Sequence, residues 1–253
     1  MDRHANRTLW NDDALRSPHT QPDKADRVRR MFGAIAPTYE RVNRWFSAGR
    51  DAYWRQQAVR LARVRPDDRV LDAACGTGDL LRAFAAGSPR PRMLVGCDFA
   101  RPMLERAAGR GPADASWCEC DALRLPFADG SFTIVGCAFG VRNFQALDDG
   151  LREFRRVLSP GGRAVILEFT RPGHPWVRAL YEFYARRIMP AGATWLSGDR
   201  DGAYRYLPES VVSFVDATEL TRRLHNAGFA RVRRRSLTFG VVTVYVAVRE
   251  DHG

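Results

Sequence analysis

The sequence predicts an α/β fold in which one mixed, seven-stranded sheet has helices on both faces. Short apolar runs of strand length alternate with helical stretches from residue 69 to residue 227. Such alternation requires parallel strands that are connected by crossover helices. The last two apolar runs have no helix between them and predict an antiparallel pair. A glycine-rich loop between the first strand and its helix is a third observation that favours this fold.

Each predicted element follows from its apolar pattern and from the turn residues beside it. The strands cover Arg69–Ala73, Met93–Cys97, Ser116–Cys120, Phe132–Ala138, Ala164–Phe169, Val232–Leu237 and Val241–Val248. The helices between them cover Leu80–Ala86, Pro102–Ala108, Ala146–Leu158 and Ala217–Ala227. The turn Pro160-Gly161-Gly162 leads into the fifth strand.

Three segments lie outside this alternation. Residues 1–24 are polar and have no apolar period, so we expect a mobile tail. Residues 25–66 predict N-terminal helices, with a break at Pro37 and a last helix over Ala52–Ala62. Residues 172–208 are rich in aromatic and basic side chains and predict a substrate lid, because long inserts at strand ends tend to carry function. Residues 25–253 then form one domain.

The composition restricts the class of protein. The chain has 40 Lys and Arg against 29 Asp and Glu, a net charge of +11, which suits either nucleic acid or anionic lipid headgroups. No apolar run reaches the roughly 18–20 residues of a membrane-spanning helix. Five cysteines, an odd number, favour buried thiols in a reducing cytoplasm over a disulfide framework. Cys118 and Cys120 lack the partners of a metal site, so no metal is expected.

The loop Asp72–Asp79 (DAACGTGD) carries the strongest chemical signal. Gly76 and Gly78 permit a tight turn and a close approach of the backbone to a ligand. A dinucleotide-binding loop would have a third glycine at the position of Leu81, and Asp79 would repel a phosphate. The loop therefore favours a ligand that has an amino group and no phosphate.

Two acidic residues extend this prediction to an adenosine-type ligand. Asp98 ends the second strand, where a carboxylate can accept hydrogen bonds from both ribose hydroxyls. Asp121 follows the third strand and can accept from an adenine amino group. In this order on successive strands, the loop and the two acids resemble the cofactor site of class I S-adenosylmethionine-dependent methyltransferases.

A longer resemblance covers the chain from about Val28 to Val248. It is similar to the ubiquinone/menaquinone biosynthesis C-methyltransferase family at Tyr39–Asn43, Ser47, Trp54, Phe139–Asn143, Arg156–Leu158, Pro160–Gly162, Glu168 and Tyr204–Ser210. The chain departs from that family's pattern at Glu40, Val42, Asp51, Ser159 and Thr170, and at Ala138, where many members have Ser. The family's usual residue at Asp51 is His, so this departure puts an acid–base role at that position in doubt.

The resemblance implies a Rossmann-like class I methyltransferase fold, with the N-terminal helices and the insert as a substrate roof. It implies S-adenosylmethionine as the cofactor and assigns Thr77, Asp98, Asp121 and Ala122 to its site, with Ala138 contributing through its backbone. Asp72, Gly76 and Gly78 complete the predicted cofactor site.

The resemblance also implies C-methylation of a prenylated quinol. Demethylmenaquinol and a methoxy-polyprenyl benzoquinol both fit, and residues 238–242 with Tyr245 favour the menaquinone pathway. A natural-product methyltransferase is one alternative. A nucleic-acid-binding protein with a vestigial fold is another, although the chain has no Pro-Pro pair of the kind found in DNA amino-methyltransferases. We therefore expect no nucleic-acid partner.

The expected chemistry selects the candidate catalytic residues. A ring carbon becomes nucleophilic when a neighbouring hydroxyl ionises, so a cation beside the phenolate would favour the reaction. Arg142, after the fourth strand, is the candidate cation, and Asn143 is the candidate to orient the quinol oxygen. Tyr39, Tyr204 and Tyr206 are candidate substrate contacts. The alternatives are a salt bridge from Arg142 to Asp148 or Asp149, and lid packing for Tyr204 and Tyr206.

A prenylated quinol resides in the bilayer, so the positive charge of the protein could bind it to the membrane surface where the substrate lies. Peripheral contact with anionic lipid at the inner face of the cell membrane is predicted for a set of basic residues, Arg41, Arg44, Arg178, Arg186 and Arg187. The alternative is a solvated basic face. A homodimer is compatible with the sequence.

Overall fold

The computed structural model describes residues 9–47, 49–176, 178–179 and 202–250. Within them lies one seven-stranded sheet with the strand order β3-β2-β1-β4-β5-β7-β6. The strands are β1 (Arg69–Ala73), β2 (Met93–Asp98), β3 (Ser116–Glu119), β4 (Phe132–Ala138), β5 (Leu158–Phe169), β6 (Phe229–Leu237) and β7 (Val242–Arg249).

The first five strands are parallel, and β7 runs antiparallel to both β5 and β6. The predicted mixed sheet is therefore confirmed. The largest difference in bounds is at β5, which begins at Leu158 instead of Ala164. Leu158 pairs with Phe132, and the register then shifts before Ile134 pairs with Arg163. The predicted Pro-Gly-Gly turn is this irregularity inside the strand.

Nine α-helices lie wholly within the described residues. They are α1 (Asp12–Arg16), α2 (Lys24–Ile35), α3 (Tyr39–Phe46), α4 (Arg50–Ala62), α5 (Asp79–Ala85), α6 (Arg101–Arg110), α7 (Leu147–Val157), α8 (Ala203–Val212) and α9 (Ala217–Asn226). Short 3₁₀ turns cover Val141–Asn143 and Thr238–Gly240. None of the described helices has the length and apolarity that a membrane crossing requires.

Helices cover both faces of the sheet because successive strand side chains point to opposite sides. Val70 packs with residues of α4 and α5 on one face, and its neighbour Leu71 packs with residues of α7 and α9 on the other. Both side chains are fully buried. Continuous apolar strands of this kind are typical of a parallel sheet that has helices on both faces.

The prediction of a mobile tail is wrong for residues 9–23. Trp10 is fully buried, and its ring stacks on Tyr206 of α8 with centroids 4.1 Å apart. Arg27 donates a 2.5 Å hydrogen bond to the carbonyl of Leu9, and Asn11 caps α1 by accepting from the Ala14 amide. One large aromatic side chain, Trp10, packs between α2 and α8. The segment is therefore anchored to the fold although its sequence has no periodic apolar pattern.

Part of the predicted lid lies outside the described residues, namely residue 177 and residues 180–201. The end of that segment is instead helical, since α8 covers Ala203–Val212 and continues through Pro208. The substrate-lid role of residues 172–208 stays a prediction, and α8 is a helix that was not among the predicted elements. It forms because its apolar face, with Tyr206 and Leu207, packs against the N-terminal helices.

Replacement of Trp10 tests whether the N-terminal segment stabilises the fold. We expect Trp10→Ala to lower the free energy of unfolding by about 3–5 kcal/mol, because it leaves a cavity beside Tyr206. Urea denaturation measures this change. Trp176→Ala is the matched control, since Trp176 is 81% exposed, and it should change stability by less than about 0.5 kcal/mol. Equal effects of the two variants would contradict the assignment.

Candidate functional site

A cleft opens where the carboxyl ends of β1, β2 and β4 meet. Its empty space, including the part that is open to solvent, is about 870 Å³. This edge of an open parallel sheet is the general position of ligand sites in such folds. Seven of the eight predicted cofactor residues line it, namely Asp72, Gly76, Thr77, Asp98, Asp121, Ala122 and Ala138.

The loop after β1 has an unusual backbone. Ala74, Gly76 and Gly78 all have positive φ, at 53°, 56° and 80°. The left-handed conformation at Ala74 is unfavourable for a residue with a Cβ, and such strain concentrates at functional sites. Gly78 does not line the cleft. A Cβ on it would lie 3.0 Å from the Trp117 ring, so its role is close packing at the start of α5.

Two buried polar atoms of this loop have no partner among the described residues. They are Oδ1 of Asp72 and Oγ1 of Thr77. The other carboxylate oxygen of Asp72 accepts a 3.0 Å hydrogen bond from the Leu81 amide. Burial raises the pKa of Asp72 to about 8. Because buried polar atoms are rarely left unsatisfied, both atoms indicate a polar ligand in the cleft.

Asp98 lies at the β2–β3 side of the cleft. Its carboxylate accepts hydrogen bonds from the amides of Gly76 at 2.8 Å and Ala100 at 2.9 Å. Each carboxylate oxygen has a second lone pair, so two hydroxyl donors can still bind. Burial raises the pKa of Asp98 to about 6. Asp121, which is exposed, accepts from the Leu123 amide at 2.9 Å and lies at the same side. The geometry suits an adenosine.

Tyr39 and Asn143 also line the cleft. Burial raises the pKa of the Tyr39 hydroxyl, against the opposing effects of its hydrogen bond with Asn43 and the charge of Arg142. The Asn143 amide donates to the Phe139 carbonyl at 3.3 Å. Both residues were predicted from the sequence, and both contribute to the lining of the cleft.

Arg142 does not line this cleft. It is 3% exposed, and its Nη1 donates to Glu168 at 2.7 Å and to the Phe139 carbonyl at 2.5 Å. The alternative salt bridge to Asp148 or Asp149 is wrong, because those carboxylates pair with Arg223 and Arg152. Direct contact between Arg142 and a phenolate is therefore not what the geometry shows. Its positive charge instead acts on Tyr39 electrostatically and favours the ionised form of that hydroxyl.

Tyr206 also differs from its predicted role as a substrate contact. It is fully buried, stacks on Trp10 and donates a 2.9 Å hydrogen bond to Oδ1 of Asn143. Lid packing, the alternative from the sequence, is the better description, and the hydroxyl orients the Asn143 amide. The side chain of Tyr204 lies outside the described residues.

Lys24 is a supporting residue that the sequence placed in the tail. Its ammonium donates to the carbonyls of Arg142 at 2.9 Å and Phe144 at 2.6 Å, so it fixes the turn that carries Asn143. Burial, and secondarily the charge of Arg142, lowers the pKa of Lys24 to about 8. The one sequence feature that could have indicated a specific role for Lys24 is that it is the only lysine in a chain otherwise rich in arginine.

Comparison with known proteins agrees with this geometry. The profile of the ubiE/COQ5 methyltransferase family matches residues 20–249. The chain belongs to the ubiE/COQ5 methyltransferase family. The predicted family resemblance is thereby confirmed, and so is the expectation of a methyltransferase.

Individual relatives cover nearly the whole chain. The chain is 44% identical over 222 residues to the demethylmenaquinone methyltransferase of Thermus thermophilus, covering 87% of this chain and 100% of that protein. It is 42% identical over 227 residues to the demethylmenaquinone methyltransferase of Deinococcus radiodurans, covering 88% and 93%. Identity is 38% over 232 residues to the ubiquinone/menaquinone biosynthesis C-methyltransferase of Geotalea daltonii, covering 88% and 96%.

Among solved structures, the chain is similar to a SAM-dependent methyltransferase of Thermotoga maritima, described as a possible histamine N-methyltransferase. The TM-score is 0.63 at 17% identity, over 87% of this chain and 100% of that chain. At this identity the likeness shows the fold alone. It confirms the Rossmann-like methyltransferase architecture.

The buried Asp72 carboxyl predicts a pH dependence of stability. Its pKa is raised in the fold from about 3.9 in an unfolded chain, so folding disfavours the ionised form. Stability is therefore lost as the pH rises from about 4 towards 8. We expect Asp72→Asn, which does not titrate, to gain stability relative to the wild type between pH 5 and pH 8, by up to about 1.4 kcal/mol per pH unit. Urea denaturation without ligand measures this gain. An identical difference at both pH values would refute it.

Proposed function

We propose that this methyltransferase transfers a methyl group from S-adenosylmethionine to a ring carbon of a prenylated quinol. The substrate that we favour is demethylmenaquinol. One observation carries the proposal. A single cleft is lined both by adenosine-suited carboxylates, Asp98 and Asp121, and by the side chains of Tyr39 and Asn143. The demethylmenaquinone methyltransferases of two organisms, at 44% and 42% identity, support the choice of quinol.

The residues around the cleft fit the cofactor. Asp98 would accept from the ribose hydroxyls, and Asp121 with Ala122 would lie against the adenine. The unpartnered oxygens of Asp72 and Thr77 would gain hydrogen bonds. When bound, the cofactor supplies a methyl group on a positively charged sulfur, which reacts by in-line displacement. The contribution of the protein is alignment of the two reactants and exclusion of water.

On the substrate side, Asn143 would orient the quinol hydroxyl. Its amide keeps one N–H for this purpose, since the other donates to Phe139 and Tyr206 fixes the carbonyl oxygen. Tyr39 would contact the same oxygen. Arg142 is then a positioning residue, which holds the turn at Asn143 and whose positive charge acts on the Tyr39 hydroxyl. The aromatic rings of Phe32, Phe139 and Phe144 line the cleft and exclude water from the reacting atoms.

We further propose peripheral contact with an anionic bilayer, where the substrate resides. Arg41, Arg44 and Arg178 are exposed, whereas Arg186 and Arg187 lie outside the described residues. Phe239 and Trp176 are 85% and 81% exposed. Phe239 lies in the turn between β6 and β7, at the edge of the sheet where the cleft opens. Exposed aromatic and basic side chains together suit the headgroup region of a membrane.

A second candidate substrate is the methoxy-polyprenyl benzoquinol. Its support is the relative of Geotalea daltonii, whose description names both ubiquinone and menaquinone biosynthesis. The two quinols differ in ring system, so one assay with both substrates separates them. A homodimer stays a prediction, which sedimentation equilibrium would test.

The direct test uses purified protein, labelled S-adenosylmethionine and each reduced quinol in turn, embedded in lipid vesicles. We expect label in the product from demethylmenaquinol, at a rate at least on the order of tenfold above the benzoquinol, which corresponds to about 1.4 kcal/mol of discrimination. The rate should be higher in phosphatidylglycerol vesicles than in phosphatidylcholine vesicles. This difference should shrink at 1 M salt, because screening shortens the Debye length to about 3 Å.

The controls separate the parts of the proposal. Oxidised quinone should accept no label, because it has no ionisable hydroxyl. Transfer to neither quinol, by protein that still binds S-adenosylhomocysteine, would contradict the substrate. Equal rates in both kinds of vesicle at low and high salt would contradict the membrane contact and leave the reaction standing.

A further inference from the structure

Arg55 has no role in the predictions from the sequence, yet it reaches the cleft. It lies on α4, and it is 6% exposed. Its guanidinium carbon lies 5.7 Å from the centre of the Phe139 ring, which directly follows β4. Since β4 and β2 flank β1 on opposite sides, Arg55 lies across the cleft from Asp98. Asp98 and Asp121 mark the adenosine side, so Arg55 lies where the other half of the cofactor would extend.

The charges that line the cleft are unequal. Among the described residues, four aspartic acids line it, Asp72, Asp79, Asp98 and Asp121, and Arg55 is the one basic side chain. S-adenosylmethionine carries two positive groups, a sulfonium and an ammonium, and one carboxylate. The carboxylates of the cleft suit the positive groups, and Arg55 alone matches the negative one.

The guanidinium of Arg55 is held in place but is not saturated. Nη1 lies 2.7 Å from Asp51 Oδ2, and Nη2 lies 3.3 Å from Asp79 Oδ2. Nε is buried and has no partner among the described residues. A guanidinium has five N–H donors, so donors remain for a ligand after both ion pairs are made. Two acids that fix the side chain reduce the entropy lost when a ligand binds.

We propose that Arg55 binds the carboxylate of the methionine half of the cofactor. This inference rests on the proposed use of S-adenosylmethionine. The ammonium of the same half would be left for Asp79, whose Oδ2 lies 3.3 Å from Arg55 Nη2, and for Asp72, which also lines the cleft. A carboxylate that accepts from a guanidinium forms one of the stronger hydrogen bonds in proteins.

The proposal also gives Asp51 a role. Asp51 stands where the family has His, and it accepts from Arg55 and, at 2.9 Å, from the Ser47 hydroxyl. Burial opposes ionisation of Asp51, but Arg55 and Ser47 outweigh it and hold the pKa of this carboxyl below its usual value. Asp51 is thus a positioning residue that fixes Arg55, and the departure from the family pattern belongs to the methionine subsite rather than to acid–base catalysis.

The test is isothermal titration of Arg55→Met with two ligands. S-adenosylhomocysteine has both the carboxylate and the amine, whereas its decarboxylated analogue has only the amine. We expect the variant to bind S-adenosylhomocysteine about 10- to 100-fold more weakly, the loss that corresponds to one hydrogen bond to a charged group. The analogue should bind the variant and the wild type equally. Arg60→Met, an exposed arginine on the same helix, is the control for lost charge and should bind both ligands as the wild type does.

Each other outcome has a definite meaning. Equal weakening of both ligands would overturn the proposal, because Arg55 would then act only through Asp79 and the loop. Undiminished binding of S-adenosylhomocysteine by Arg55→Met would also overturn it. Failure of the wild type to bind S-adenosylhomocysteine would instead contradict the cofactor itself. If Arg55→Met does not fold, Arg55→Lys keeps the charge without the planar fork, and it should weaken S-adenosylhomocysteine selectively.

Discussion

The buried ion pair between Arg142 and Glu168 is the constraint on which the substrate half of the cleft depends. Glu168 is fully buried near the carboxyl end of β5, and Arg142 lies in the turn that follows β4. Glu168 also accepts from the backbone amides of Arg142 at 3.3 Å and Phe169 at 2.9 Å. Burial of two charges is tolerable only when their remaining donors and acceptors are satisfied, and here most of them are.

Three other parts of the chain attach to this pair. Ser210 of α8 lies 3.3 Å from Nε of Arg142. Lys24 of α2 donates to the carbonyls of Arg142 and Phe144. Tyr206, also on α8, orients Asn143, the residue after Arg142. The turn is thus held from the sheet, from the N-terminal helices and from α8 together. In the proposed reaction, this rigidity holds Asn143 in the lining of the cleft, where it would orient the quinol.

The sheet and the adenosine side of the cleft could be predicted from the sequence because their signals are local. An apolar run such as Phe132–Ala138 indicates a buried strand by its length and composition, and its predicted bounds match those of β4. The positions of Asp98 and Asp121 follow from strand order alone, since the carboxyl ends of parallel strands meet at one edge. The Arg142 partner could not be predicted in this way. Glu168 is 26 residues away, and several acids were closer in sequence.

The same limit explains the errors at the N-terminus. Trp10 and Tyr206 are almost two hundred positions apart, and neither lies in a pattern that names its partner. Lys24 is a charged residue that is nevertheless buried in the structure. Its ammonium donates to two carbonyls of a distant turn and also forms a hydrogen bond with His19. Arg55 is one of many arginines in the sequence. Only the fold shows that Arg55, unlike the other arginines of the described residues, lines the cleft.

The rate of methyl transfer by Glu168→Gln tests the central role of the buried pair most directly. This substitution leaves Arg142 buried with an incomplete partner, and the adenosine side of the cleft is untouched. The account predicts a turnover number reduced by on the order of tenfold or more, corresponding to at least about 1.4 kcal/mol, with unchanged affinity for S-adenosylhomocysteine in the same preparation. Wild-type turnover in a correctly folded Glu168→Gln protein would contradict it.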